Sequence, residues 1–107
     1  MAAATVSRVV PALTSAERRR LRAQAHPLAP VAQVGRQGIS EAFVGELDRA
    51  LASHELVKVR LRGERDDRRS EVAALSERLG CAVVGTVGSV AILFRPAPEE
   101  DDAEAQS

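Results

Sequence analysis

Aromatic side chains are nearly missing from this 107-residue chain, which has no Trp, no Tyr and only Phe43 and Phe94. A broad aromatic platform for stacking bases is therefore not expected. Cysteine is represented by Cys81 alone. That leaves no partner for an internal disulfide and no thiolate set for a Cys-based zinc site, and it fits a reducing compartment. No apolar run approaches the roughly 20 residues that a membrane-spanning helix needs. The start, Met1-Ala2-Ala3-Ala4, has no basic segment followed by a long apolar stretch, so a secretory signal is not expected and a cytoplasmic location is. Lysine is also scarce: of 15 basic residues only Lys58 is not Arg. Arginine suits bidentate phosphate contact, but the same bias follows from a GC-rich genome, so it decides little alone. The 45% hydrophobic content, mostly Leu, Val and Ala, is enough for one domain with one modest core.

The formal net charge of zero hides a segregation. Residues 1–98 hold all 15 basic side chains and 10 acidic ones, whereas Glu99, Glu100, Asp101, Asp102 and Glu104 follow with no base. A basic body thus precedes an acidic tail. Residues 1–12 have no periodicity and contain Pro11, which predicts a flexible arm. Residues 97–107 read as a disordered acidic tail. The folded domain is expected over 13–96.

Within it, Thr14-Ser15-Ala16-Glu17 has the form of a capping box and predicts a helix from about Ser15 to Ala25, with Leu21, Ala25 and Leu28 as its buried stripe. Pro27 stops it. A short strand is expected at Val31 to Val34. Ser40 and Glu41 suit the start of a second helix that carries Phe43, Val44, Leu47, Ala50 and Leu51 on one face and ends near His54. Leu56 to Arg62 alternates: Val57, Val59 and Leu61 face one way, and Lys58, Arg60 and Arg62 the other. Asp66 and Asp67 suit a third helix start, Val72, Leu75 and Leu79 its apolar face, and Gly80 its end. Cys81–Val87 and Ser89–Phe94, joined at Gly88, form a hairpin. The order α-β-α-β-α-β-β predicts an α/β fold, a two-layer sandwich with a mixed four-stranded sheet.

Chemistry concentrates at Gly35-Arg36-Gln37-Gly38, between the first strand and the second helix. Two glycines three apart allow a sharp turn and close approach to a ligand. Arg36 at the tip and the following helix N-terminus suit a phosphate. Such a turn is also commonly structural, so alone it is a weak signal. Arg18, Arg19, Arg20 and Arg22 put four bases in five positions on the first helix. Arg19 and Arg22 point away from its apolar stripe and Arg18 lies on its flank. Lys58, Arg60 and Arg62 are either a further contact surface or a solvated sheet face, some of them paired with Glu64 or Asp66. His26 and His54 read as residues at helix ends. Cys81 with either His lacks an oxyanion loop or a third group, so catalysis is not expected. Asp66-Asp67 reads as a helix-dipole pair. No metal or cofactor is expected.

The chain resembles the CRM domain family, the chloroplast RNA splicing and ribosome maturation module, and in particular its stand-alone bacterial YhbY-type form. The resemblance rests on Leu13-Thr14 with the Arg-rich helix, Ala25-His26, Pro30, and Val34-Gly35-Arg36-Gln37-Gly38-Ile39-Ser40. It continues through His54-Glu55-Leu56-Val57-Lys58-Val59, Gly80-Cys81, and Gly88 to Leu93-Phe94-Arg95-Pro96. It implies a fold like the C-terminal domain of bacterial translation initiation factor 3 preceded by an extra helix. It also implies RNA binding through the glycine loop and adjacent basic surface, and association with precursors of the large ribosomal subunit. Ala29 stands where the family often has Lys, and Ser89 where it often has a basic or amide residue. The residues expected at RNA are thus Gly35, Arg36, Gln37, Gly38, Arg18, Arg19, Arg22, Lys58 and Arg60. The protein is expected to act as a monomer without DNA specificity and without a membrane partner. A protein–protein adaptor that docks through its sheet is the alternative.

Overall fold

Thr14 starts the first helix with a reciprocal cap: its Oγ1 accepts from the Glu17 N–H at 3.0 Å, and its own N–H donates to Glu17 Oε1 at 2.9 Å. The two bonds satisfy donors that a helix start otherwise leaves free. They also hold the Glu17 carboxyl below its ordinary pKa. The structure, a computed structural model, describes residues 10–97. The arm expected over 1–12 lies outside these residues up to position 9, and the acidic tail lies outside them from position 98.

Seven elements follow in the expected order: α1 (Ser15–Ala25), β1 (Ala32–Gln33), α2 (Glu41–His54), β2 (Leu56–Arg60), α3 (Arg65–Leu79), β3 (Ala82–Val87) and β4 (Val90–Phe94). The four strands form one mixed sheet in the order β1-β2-β4-β3. β1 runs parallel to β2, with Ala32 beside Val59 and Gln33 beside Arg60. The other two pairings are antiparallel. Val31 and Val34 extend the short β1 ladder, their N–H groups donating to the carbonyls of Lys58 and Arg60. Gly88 (φ +59) opens the tight turn between β3 and β4, where a two-residue hairpin loop calls for glycine.

The alternation in β2 sorts the molecule into layers. Val57, Val59 and Leu61 face α2 and α3, where they pack with Phe43, Leu47, Leu51, Leu75, Leu79 and Leu93 in the main core. Each fully buried Leu there contributes about 1.5–3 kcal/mol through burial. Helix α1 packs on the opposite face of the sheet. Its Leu21 and Ala25 meet Val84 and Ile92, flanked by Leu56 and Phe94. The sheet with α2 and α3 therefore carries α1 as a partial cover on its second face. Leu28, expected in the α1 stripe, is 41% exposed. Pro27 has already ended the helix, so position 28 no longer follows its period.

Loop chemistry closes the remaining ends. Glu64, one residue before the helix and ahead of Asp66, caps α3: its N–H donates to Asp67 Oδ2 at 3.0 Å. Gly80 ends α3 in the left-handed region. Arg95 ties the end of β4 to two helices, donating to Asp48 Oδ1 at 2.7 Å and to the Leu79 carbonyl at 3.1 Å. Its guanidinium is thereby used within the fold.

Candidate nucleic-acid interface

Gly35-Arg36-Gln37-Gly38 forms a closed turn. The Gly38 N–H donates to the Gly35 carbonyl at 2.9 Å, and the two glycines bridge each other. Gly38 has φ +78, a conformation that strains any residue with a Cβ. Gly35 is different. Its φ is not positive, and a Cβ built on it would meet nothing within 4 Å. The fold requires a glycine at 38 and leaves position 35 free of internal demand. The surface above Gly35 is open, and Arg36 and Gln37 stand exposed beside it.

The helix start behind this turn is a weaker anion site than its sequence suggests. Ser40 Oγ already accepts from the Phe43 N–H at 3.1 Å. The Glu41 carboxylate stands in the first turn and pairs with Arg78 at 2.6 Å. Positive charge at the turn therefore comes from arginines. One of them is Arg62, whose Nη1 donates to the Arg36 carbonyl at 3.2 Å and so pins the turn to the end of β2. In the sequence Arg62 stands out only as part of the alternating Lys58, Arg60, Arg62 face. That period is the signal for it, but the expected Glu64 or Asp66 partner hid its place beside the turn. The acid that does meet Arg62 is Glu71, on its backbone N–H at 3.1 Å.

From the turn the surface continues along the α1 side of the sheet. Gln33, Arg60, Val90 and Val87 form one cross-strand row. Gln33 and Arg60 are exposed, and Val87 is 65% exposed. Helix α1 leaves this row uncovered. The next register on β3 is Gly85, over which the Arg22 guanidinium lies: a Cβ there would stand 3.3 Å from Arg22 Nη2. Turn, Arg62, Arg60 and Arg22 thus border one exposed face. Arg19 is exposed and shares a shallow hollow on α1 with Arg22 and His26.

Two of the residues expected at RNA hold the fold together. Arg18 Nη1 donates to the carbonyls of Val83 and Val84 at 2.6 and 3.1 Å. A bulge between Val83 and Gly85 interrupts the β3–β4 ladder there, and the guanidinium supplies the donors. Lys58 Nζ reaches the carbonyls of His26 and Leu28 at 3.3 and 2.9 Å, closing the chain that leaves α1. Neither group is free in the way a helix-flank or sheet-face position suggests.

Cys81 is fully buried, its Sγ 3.8 Å from the Leu75 carbonyl. Burial pushes its pKa up to about 11, against a smaller opposing effect of Arg95. An activated nucleophile shows the reverse shift. Because the folded pKa is raised, the associated stability is full below the ordinary thiol value near 9 and is lost as pH rises through 11. The free energy of unfolding should therefore fall over this window by about 2 kcal/mol, and Cys81→Ala should remove that part of the slope in denaturation curves taken at successive pH values. Among the described residues there is no cluster of three or more His, Cys, Asp or Glu that could hold a metal ion, and no helix long and apolar enough to cross a membrane.

Fold and surface together define a small α/β domain that presents a basic turn beside an exposed sheet row. Comparison with known proteins is more specific: residues 13–95 match the CRS1 / YhbY (CRM) domain, and the chain belongs to that family. A Pseudomonas aeruginosa protein named as a probable RNA-binding protein is 37% identical over 89 residues, covering 82% of this chain and 86% of its own length. An RNA-binding protein of Haemophilus influenzae is 33% identical over 88 residues, covering 81% and 89%. The solution structure of a hypothetical Staphylococcus aureus protein, described as a candidate RNA-binding protein, superposes with a TM-score of 0.73 at 32% identity, covering 85% of this chain and 96% of that one.

Proposed function

We propose that this protein is a non-catalytic RNA-binding factor that engages precursors of the large ribosomal subunit in the cytoplasm, as a monomer. The observation that carries this reading is Gly35. Its own fold places no constraint on it, yet it keeps the backbone bare beside the exposed Arg36, with Arg60 ending the adjoining strand and Arg62 just beyond it. A ribose-phosphate segment can come against such a backbone while the guanidiniums take its phosphates. Few groups are placed to read base edges, Gln33 and Gln37 being the exposed amides at and beside the turn. The RNA is therefore selected by shape more than by sequence. Its relatives' names support RNA as the partner.

The test is the salt dependence of binding to ribosomal RNA fragments recovered by crosslinking in cells. If roughly four to six phosphates are neutralised, log K should fall with log salt at a slope of about −3 to −4. Arg36→Ala should make that slope shallower by somewhat under one unit and weaken binding about equally across sequences of one shape. A salt-independent affinity would instead favour a protein partner on the sheet face.

A further inference from the structure

Behind the row that carries Arg60, on the α2–α3 side of the sheet, α3 and β3 diverge and leave a cleft of about 630 Å³. Its floor is aliphatic, made by Leu61, Val72 and Val83, and Arg65, Arg68 and Arg69 line it from α3. The spacing i, i+3, i+4 puts the three guanidiniums on one helix face. Two of the four acids of the same helix are used elsewhere: Asp67 accepts the Glu64 N–H, and Glu71 accepts the Arg62 N–H. Arg68 is tied to the Gly63 carbonyl at 2.6 Å. Arg65 and Arg69 are exposed, and their guanidiniums have no hydrogen bond or ion pair among the described residues.

Strand alternation sets this cleft back to back with the first surface. Leu61 lines the cleft, while its neighbours Arg60 and Arg62 lie on the turn side, and the Leu61 N–H donates to Ser89 at the hairpin tip. The two basic surfaces are thus separated by the thickness of one strand and meet around Gly88-Ser89.

We propose that the Arg65–Arg69 cleft is a second RNA-backbone site. A single strand held at the Gly35–Gly38 turn passes around the hairpin tip, puts phosphates on Arg65 and Arg69, and rests a base on the aliphatic floor. This rests on the RNA-binding reading above. Charge complementarity selects the ligand: unpaired guanidiniums over an apolar floor match a phosphate that carries a base.

The experiment uses the full chain and the double variant Arg65→Gln/Arg69→Gln with fluorescent single-stranded RNAs of about 5 and about 15 nucleotides, lengths that bracket one site and two. Both positions are exposed and their guanidiniums have no partner among the described residues, so the thermal midpoint should move by no more than about 3 °C. Binding of the longer RNA should weaken about tenfold or more at 0.1 M salt, with a slope shallower by about 1.4 for two phosphates. Binding of the shorter RNA should be unchanged within about twofold, because it is held at the turn. If the wild type binds both RNAs and the variant binds the longer one equally well, the cleft is not an RNA site and the turn reading stands. If the wild type binds neither, both readings fail together. If a Glu-rich peptide binds the wild type but not the variant, while RNA affinity is the same in both, the cleft is a protein site and the proposal is overturned.

Discussion

Gly35→Asp should lower RNA affinity at least about tenfold and leave the fold intact. Position 35 has an ordinary φ and open space where a Cβ would stand, so the domain tolerates a side chain there. The substitution adds bulk and a negative charge at the point where a phosphate would approach. Losing one phosphate contact is worth about fourfold at physiological salt from the single-strand coefficient, and repulsion of the neighbouring phosphates adds to it. The same change at Gly38 is less informative, since φ +78 makes any side chain there cost about 1 kcal/mol or more in stability. Fluorescence anisotropy with a labelled RNA gives the affinity, and thermal unfolding checks the fold. Full affinity in a folded Gly35→Asp protein would remove the turn from the RNA site.

Arg18→Ala should behave in the opposite way, losing stability while the folded fraction keeps its RNA affinity. Its guanidinium serves two carbonyls at the β3 bulge under α1. Charge-assisted bonds of this kind contribute about 1.5–3 kcal/mol, and their loss leaves part-buried carbonyls without that donor. A loss of about 2 kcal/mol corresponds to a drop of roughly 8–16 °C in the thermal midpoint for a domain of this size. Arg19→Ala, one residue on and exposed, should stay within about 0.5 kcal/mol of wild type. Arg18→Lys restores only part of the loss, because an ammonium lacks the planar fork. Chemical denaturation of the three variants measures this ranking. A fully stable Arg18→Ala protein with lost RNA affinity would return Arg18 to the RNA surface.

Positions 35 and 18 mark where sequence and structure part. The turn is legible in the sequence because backbone geometry is a local matter: a left-handed residue calls for glycine, and Gly38 is that residue. What distinguishes Gly35 is not local. The sequence cannot say whether a glycine answers to its own fold; the empty space around position 35 shows that this one does not. The role of each basic side chain is likewise decided by distant partners. Arg18 and Lys58 satisfy carbonyls 65 and 32 positions away, distances along the chain over which no periodicity carries information.

Local propensity and burial alone therefore determined the seven elements, their order, the mixed sheet and the alternation of β2, since caps, turns and apolar periods act within a few residues. The tertiary structure decided three things. It set α1 on the face of the sheet away from α2 and α3, because an apolar stripe of Leu21 and Ala25 says that a helix is covered but not by which face. It divided the arginines between those whose guanidiniums bond within the fold, such as Arg18 and Arg95, and those with no such partner among the described residues, such as Arg65 and Arg69. And it brought Arg62 to the turn and opened a cleft beside Arg65 and Arg69, because a side chain's freedom depends on which carbonyls and carboxylates the packed chain brings within its reach.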